Sequence, residues 1–158
     1  FETSRSDQNK VIKMKNLKII IKNFSSALQL PSSLWKKIVL IVLAIFFTYT
    51  GIDHFANADF YLSIMPPAFP LHEEAVYISG FFEILGGVGV LIPRFRKIAG
   101  WGLVALLVAV YPANIYMAIT PEAFPNIPLS LLYFRLVLQF VFFYWAFSVT
   151  RPAYNSGR

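Results

Sequence analysis

Residues 75–119 read AVYISGFFEILGGVGVLIPRFRKIAGWGLVALLVAVYPANIYMAI, two apolar runs on either side of a basic turn, Pro93-Arg94-Phe95-Arg96-Lys97. A helix rises about 1.5 Å per residue, so a run of about twenty residues crosses a hydrocarbon layer of about 30 Å. One further run of that length lies on each side, and spans are predicted at Ile38 to Phe55, Ala75 to Ile92, Ile98 to Ile119 and Ile127 to Phe147. Over 158 residues the chain is 57% hydrophobic and 14% charged. An ordinary soluble domain is roughly half apolar and about a quarter charged, and a globule this small cannot bury four such blocks. The expected fold is therefore an all-α membrane protein, a four-transmembrane-helix bundle with both termini cytoplasmic. Its expected divisions are a basic tail over 1–35, the membrane domain over 36–150 and a short cytoplasmic tail over 151–158.

The orientation follows from the charges. Lys36 and Lys37 precede the first span, Arg94, Arg96 and Lys97 fill the turn after the second, and Arg151 and Arg158 follow the fourth. The loops Ala56 to Glu74 and Thr120 to Asn126 hold only the acidic charges Asp59, Glu73, Glu74 and Glu122. Basic residues stay on the cytoplasmic side. The net charge of +6 is thus a signal for topology, and no nucleic-acid partner is expected. Trp35, Trp101 and Trp145 fall at the same side of the bundle, as interfacial anchors do. The absence of cysteine excludes disulfides, thiolate metal sites and thiol redox chemistry.

In the tail, Val11, Met14, Leu17, Ile20 or Ile21, Phe24 and Leu28 recur at intervals of three and four among Lys10, Lys13, Lys15, Lys18 and Lys22. This spacing suits a helix on an anionic membrane surface. Asn16, Asn23 and the Ser25-Ser26 pair weaken it, which leaves a solvated basic tail as the other reading. A signal peptide ranks below both, because Lys22 interrupts a short apolar run. Met14 is a candidate initiator.

Polar residues inside the spans carry the functional signal, since a charge at the bilayer centre costs at least about 2.5 kcal/mol and calls for a partner. Glu83 and Arg135 each lie eight residues, ~12 Å, below the outer ends of their spans. Asn114 lies five residues, ~8 Å, below its own, and Gln139 one turn beneath Arg135. Asp53 and His54 close the first span, with Tyr49 a turn below. A Glu83–Arg135 pair is expected, completed by Asn114, Gln139 and Ser79. It serves either to hold the register of the second and fourth helices or to line an outward-facing pocket for a polar head group. A proton path is weaker, as no further acid continues it toward the cytoplasm. Ligation of a metal or haem by His54 and His72 is disfavoured, because His72 lies in the loop after Met65-Pro66-Pro67-Ala68-Phe69-Pro70. No nucleophile triad or phosphate loop is assembled. Ser79, Gly80, Gly86, Gly87, Gly89, Gly100 and Gly102 are expected to let helices approach closely.

Four of these stretches, in order, resemble the DoxX-like membrane proteins. Gly51-Ile52-Asp53-His54-Phe55 is similar to a Gly-x-x-His-Phe signature, and Gly80 to Gly87 to a Gly-x-x-Glu-x-x-Gly-Gly pattern. Tyr111-Pro112-Ala113-Asn114 is similar to a Pro-Ala-Asn stretch, and Arg135-x-x-x-Gln139 to the fourth helix. The resemblance covers about residues 36 to 150. It implies a four-helix protein of the bacterial cytoplasmic membrane linked to respiratory quinone chemistry, such as the small subunit of a thiosulfate–quinone oxidoreductase.

The expected function is a membrane subunit or accessory protein of a quinone-linked redox system. Asp53, His54, Glu83, Asn114, Arg135 and Gln139 are the candidate pocket, quinone is the candidate cofactor, and a membrane redox protein is the candidate partner. The alternatives are a non-enzymatic interaction module docking through the outer loop and the tail, or a small-molecule or proton transporter, which with four spans needs to form a homo-oligomer. Whether the chain is itself an enzyme is left open.

Overall fold

In the computed structural model the described residues are 2–28, 30, 31, 33–151 and 154, and all regular structure among them is helical. The elements are α1 (Glu2–Ala27), α2 (Leu34–Ala56), α3 (Ala58–Ser63), α4 (His72–Gly89), α5 (Arg96–Ile119) and α6 (Leu129–Ser148), with one 3₁₀ turn at Pro121–Ala123. Three of them, α2, α5 and α6, are long and apolar enough to span a membrane. The 18 residues of α4 make it the shortest of the four long helices after α1, and it carries three carboxylates, Glu73, Glu74 and Glu83.

Proline and capping move the helix ends away from the boundaries predicted from hydropathy. The second predicted span runs to Ile92, but α4 stops at Gly89, because Pro93 has no N–H and disfavours helical backbone at the residue before it. Pro128, with extended backbone, delays α6 to Leu129, two residues after the predicted start. α2 starts at Leu34 and α5 at Arg96, so Lys36, Lys37 and Arg96 belong to helices rather than to loops. Between α3 and α4 the chain turns through Leu71, whose φ of 59° is unusual for a residue with a side chain.

Close backbone contacts set how the helices run. A Cβ at Gly51 would lie 2.6 Å from the Gly80 carbonyl oxygen, and one at Gly87 2.8 Å from that of Ala44. Contact positions rise along α2 as they fall along α4, so the two are antiparallel and nearly touch. Gly86 against Leu103 and Gly89 against Ala99 pair α4 antiparallel with α5, and Gly100 against Val149 does the same for the ends of α5 and α6. The four long helices after α1 therefore run up, down, up, down. Gly102 departs from the expectation, since nothing lies within 4 Å of the position its Cβ would take.

Two apolar clusters hold the bundle. Leu40, Leu43, Ala44, Phe47, Val90, Leu103, Val104, Leu107, Ala146 and Val149 pack toward the end that carries the basic turn. Ile64, Met117, Phe124 and Leu132 close the other end. Elsewhere the helices turn apolar side chains outward, among them Ile45 and Ile52 of α2, Phe81 and Leu85 of α4, and Val137 and Phe140 of α6.

Arg96 corrects the reading of the basic turn. It is 1% exposed, and its guanidinium donates to the carbonyls of Val90 at 2.8 Å, Tyr154 at 2.6 Å and Leu28 at 3.0 Å. It satisfies carbonyls left over beyond the end of α4 and ties the segments after α1 and α6 to the bundle. Arg94 and Lys97 are exposed, and Arg158 lies outside the described residues. The tail, for which a helix and a solvated coil were both expected, is helical in α1, with Val11, Met14, Leu17, Ile20 and Ile21 all uncovered. The Phe24 side chain lies outside those described.

Candidate functional site

A cavity of about 520 Å³ lies between the two clusters, bordered by Phe47 and Leu107 of one and Ile64 of the other. That volume is in the range of small-molecule pockets. Most of the wall is apolar, from Phe46, Val76, Val110, Leu138 and Phe142 among others. Its polar groups form two sets.

The first set spans α5 and α6. Arg135 donates from Nε and Nη2 to Asn114 Oδ1, at 3.2 and 2.9 Å. Asn114 Nδ2 donates to Gln139 Oε1 at 3.0 Å, and Gln139 Nε2 to the Leu107 carbonyl at 2.8 Å. A guanidinium has only donors, so Asn114 must turn its oxygen to Arg135 and its amide nitrogen to Gln139. The chain of bonds holds Arg135 at the cavity wall, and described residues supply no acceptor for its remaining N–H groups.

The second set spans α2, α3 and α4. Glu83 is 7% exposed, and its Oε2 has no hydrogen-bond partner. The nearest basic nitrogen is His54 Nδ1, at 3.7 Å. That nitrogen lies 2.9 Å from the Thr50 carbonyl, which accepts only, so Nδ1 carries a hydrogen and donates it there. Tyr61 stacks on the imidazole with centroids 3.7 Å apart and donates its hydroxyl to Asp53 Oδ2 at 2.8 Å. Burial, and then the bond to Asp53, hold the Tyr61 phenol above its usual pKa range, so it remains a donor. Asn57 donates to the other oxygen of Asp53.

Of the six candidate residues, His54, Glu83, Asn114, Arg135 and Gln139 line this one cavity. Asp53 does not; it stands behind Tyr61 and orients it. The expected Glu83–Arg135 pair is not formed, since Arg135 is bonded to Asn114 and Glu83 lies beside His54. Counting residues from the span ends gives depth but no direction around the helix axis. Glu83 belongs to a helix packed on α2 and α5, whereas α6 packs on α5. Tyr49 is 67% exposed and turns away from the site. His72 donates from Nε2 to the Pro66 carbonyl at 3.0 Å and so pins the loop between α3 and α4. Tyr61 and Thr50 are wall residues that sequence reasoning missed. Tyr61 sits in a stretch with no pattern beyond scattered aromatics, and Thr50 contributes chiefly through its backbone carbonyl.

The arrangement offers a ligand an acceptor at Glu83 and a donor at Arg135, with an apolar wall between them. Neither the curated proteins nor the solved structures include a match to this chain. A family model described as a domain of unknown function (DUF8561) matches residues 43–150, a range that takes in every residue of the cavity wall. With well over half of its length covered by that model, the chain belongs to the DUF8561 family.

Proposed function

We propose that this is an integral protein of the bacterial cytoplasmic membrane that binds the head group of an amphipathic, quinone-like ligand in the cavity and serves as a membrane subunit or accessory protein of a quinone-linked redox system. One observation carries the reading. A nine-tenths buried carboxylate with an unpartnered oxygen and an arginine with spare donors line the same apolar cavity. Two carbonyl or hydroxyl oxygens on a flat ring meet those requirements, one accepting from Arg135 and the other, as a hydroxyl, donating to Glu83. An isoprenoid tail suits the apolar wall. The resemblance to DoxX-like proteins points the same way. Without cysteine, the chain takes any thiol redox step from a partner.

Four spans are part of the proposal. α2 and α5 run in the same direction, so if both cross the membrane the chain must return between them, and α4 is the helix that lies there. Its 18 residues extend ~27 Å. Glu73 and Glu74 lie in its first turn and Glu83 faces the cavity, so none of the three carboxylates sits on a lipid-facing surface within the membrane. The exposed cations Arg94, Lys97 and Arg151 support a cytoplasmic side for that end of the bundle.

The test is purification in mild detergent followed by solvent extraction and chromatography of the extract. About one quinone per chain is expected, falling below about a tenth of that in Arg135→Met. An empty protein that co-purifies with another polypeptide would instead support an interaction module.

A further inference from the structure

The two polar ends of the cavity differ in what they can hold. Arg135 offers only N–H groups, and a carbonyl oxygen and a hydroxyl oxygen both accept from it. The Glu83 carboxylate offers only lone pairs, so it accepts from a hydroxyl and repels a carbonyl. The donors that α2 and α3 bring to this end are committed elsewhere. The Nδ1 hydrogen of His54, 3.7 Å from Glu83 Oε2, goes to the Thr50 carbonyl. The Thr50 hydroxyl donates to the Phe46 and Phe47 carbonyls of its own helix, and the Tyr61 hydroxyl donates to Asp53. Glu83 Oε2 has no hydrogen-bond partner, and the side chain is nine-tenths buried. A proton on this carboxyl would reverse its preference, because the O–H so formed can donate to a carbonyl.

We infer that the cavity distinguishes the reduced from the oxidised form of its ligand at Glu83: the ionised carboxylate holds the dihydroxy form, and the dicarbonyl form binds only when Glu83 carries a proton. The inference rests on the quinone-like ligand proposed above. No electron moves in this step. One proton from solvent adds to the carboxylate and becomes the hydrogen shared with the ligand carbonyl. Above the titration of Glu83, binding of the oxidised ligand therefore takes up one proton per chain, and binding of the reduced ligand takes up none. The ionisable residues that line the cavity are His54 on α2, Tyr61 on α3, Glu83 on α4 and Arg135 on α6, and α5 brings none. Arginine keeps its charge throughout, and Tyr61 keeps its hydrogen on Asp53. His54 and, behind Tyr61, Asp53 are the other groups able to titrate, and both remain in a Glu83→Gln protein.

The full chain, tagged and held on resin in mild detergent, is equilibrated with a benzoquinone bearing a decyl tail or, under argon, with its hydroquinone. Bound ligand is extracted and measured by chromatography against resin without protein. Between about pH 5 and about pH 9 the ratio of hydroquinone to quinone affinity should rise at least about tenfold, since each pH unit above the titration of Glu83 costs the quinone up to about tenfold. In Glu83→Gln the amide both donates and accepts, so both forms should bind and the ratio should vary by less than about two-fold. Infrared difference spectra of the unsubstituted protein at about pH 8 give a readout that needs no variant. Adding the quinone should bring up the C=O stretch of a protonated carboxylic acid, and adding the hydroquinone should not. A constant ratio in the unsubstituted protein, a pH dependence that survives in Glu83→Gln, or the same infrared response to both forms overturns the inference and leaves the ligand class standing. Binding of neither form above the bare resin refutes the ligand class and the inference with it.

Discussion

Asn114 decides what Arg135 can do. Its amide oxygen accepts two N–H groups from the guanidinium, and Gln139 keeps that amide from turning. Asn114→Leu should therefore cost about 1.5–3 kcal/mol, as expected when a charged donor loses its partner. Glu83→Gln should stay within about 1 kcal/mol of the parent, because the oxygen it replaces has no partner to lose. Double-mutant cycles by chemical unfolding in micelles give the sharper comparison. Asn114 and Arg135 should couple by at least about 1 kcal/mol, and Glu83 and Arg135 by less than about 0.5. A larger coupling for the second pair would restore the ion pair that the hydropathy spans suggest. The chemical types of the site were legible in the sequence, since a carboxylate, a guanidinium and two amides in apolar runs have few other reasons to be there. Their partners were not, because a hydrogen bond depends on the rotation of each helix about its own axis.

The elements of this bundle meet through glycine, and which glycines matter depends on what faces them. An alanine Cβ at position 80 would lie 2.6 Å from the His54 Cβ and 2.9 Å from the Gly51 carbonyl oxygen. The helix α4 would have to move off α2, at a cost of about 1–3 kcal/mol. Gly102→Ala meets nothing within 4 Å and should be neutral or stabilising by up to about 1 kcal/mol through helix propensity. Thermal unfolding of the two variants in the same detergent checks this. Equal losses would mean that the helices are not held at glycine contact distance. Spacing alone marks both residues as sites of close approach; only the neighbouring helix distinguishes them. Proline acts more locally. The end of α4 at Gly89 follows from Pro93, which has no N–H, and the start of α6 at Leu129 from Pro128, which is itself extended and disfavours helical backbone at Ile127, rules that hydropathy does not contain.

At the scale of the whole molecule, the up-down-up-down order of α2, α4, α5 and α6 makes a firm prediction for topology. A reporter fused after Phe95 should be active as a cytoplasmic enzyme, and one fused after Ala68 as an exported enzyme. Two fusions on one side would remove α4 from the membrane, and the reverse pattern would overturn the orientation. Arg96, buried among backbone carbonyls, should cost more stability on replacement by Gln than Arg94 or Lys97, which are exposed. What the sequence determined by itself is whatever depends on position along the chain. Apolar run length set the helices, and the sign of the flanking charges bears on their orientation. Residue counts brought Glu83 and Arg135 to one depth, with Asn114 above them and Gln139 a turn below, because a helix converts sequence number into height at a constant rise. Tertiary structure alone decided whatever depends on direction around those axes. It bonded Arg135 to Asn114, left a Glu83 oxygen unpartnered beside His54, brought in Tyr61 from the outer loop, and buried Arg96 as a clamp among backbone carbonyls. Packing sets those directions helix against helix, and no count along one chain segment contains them.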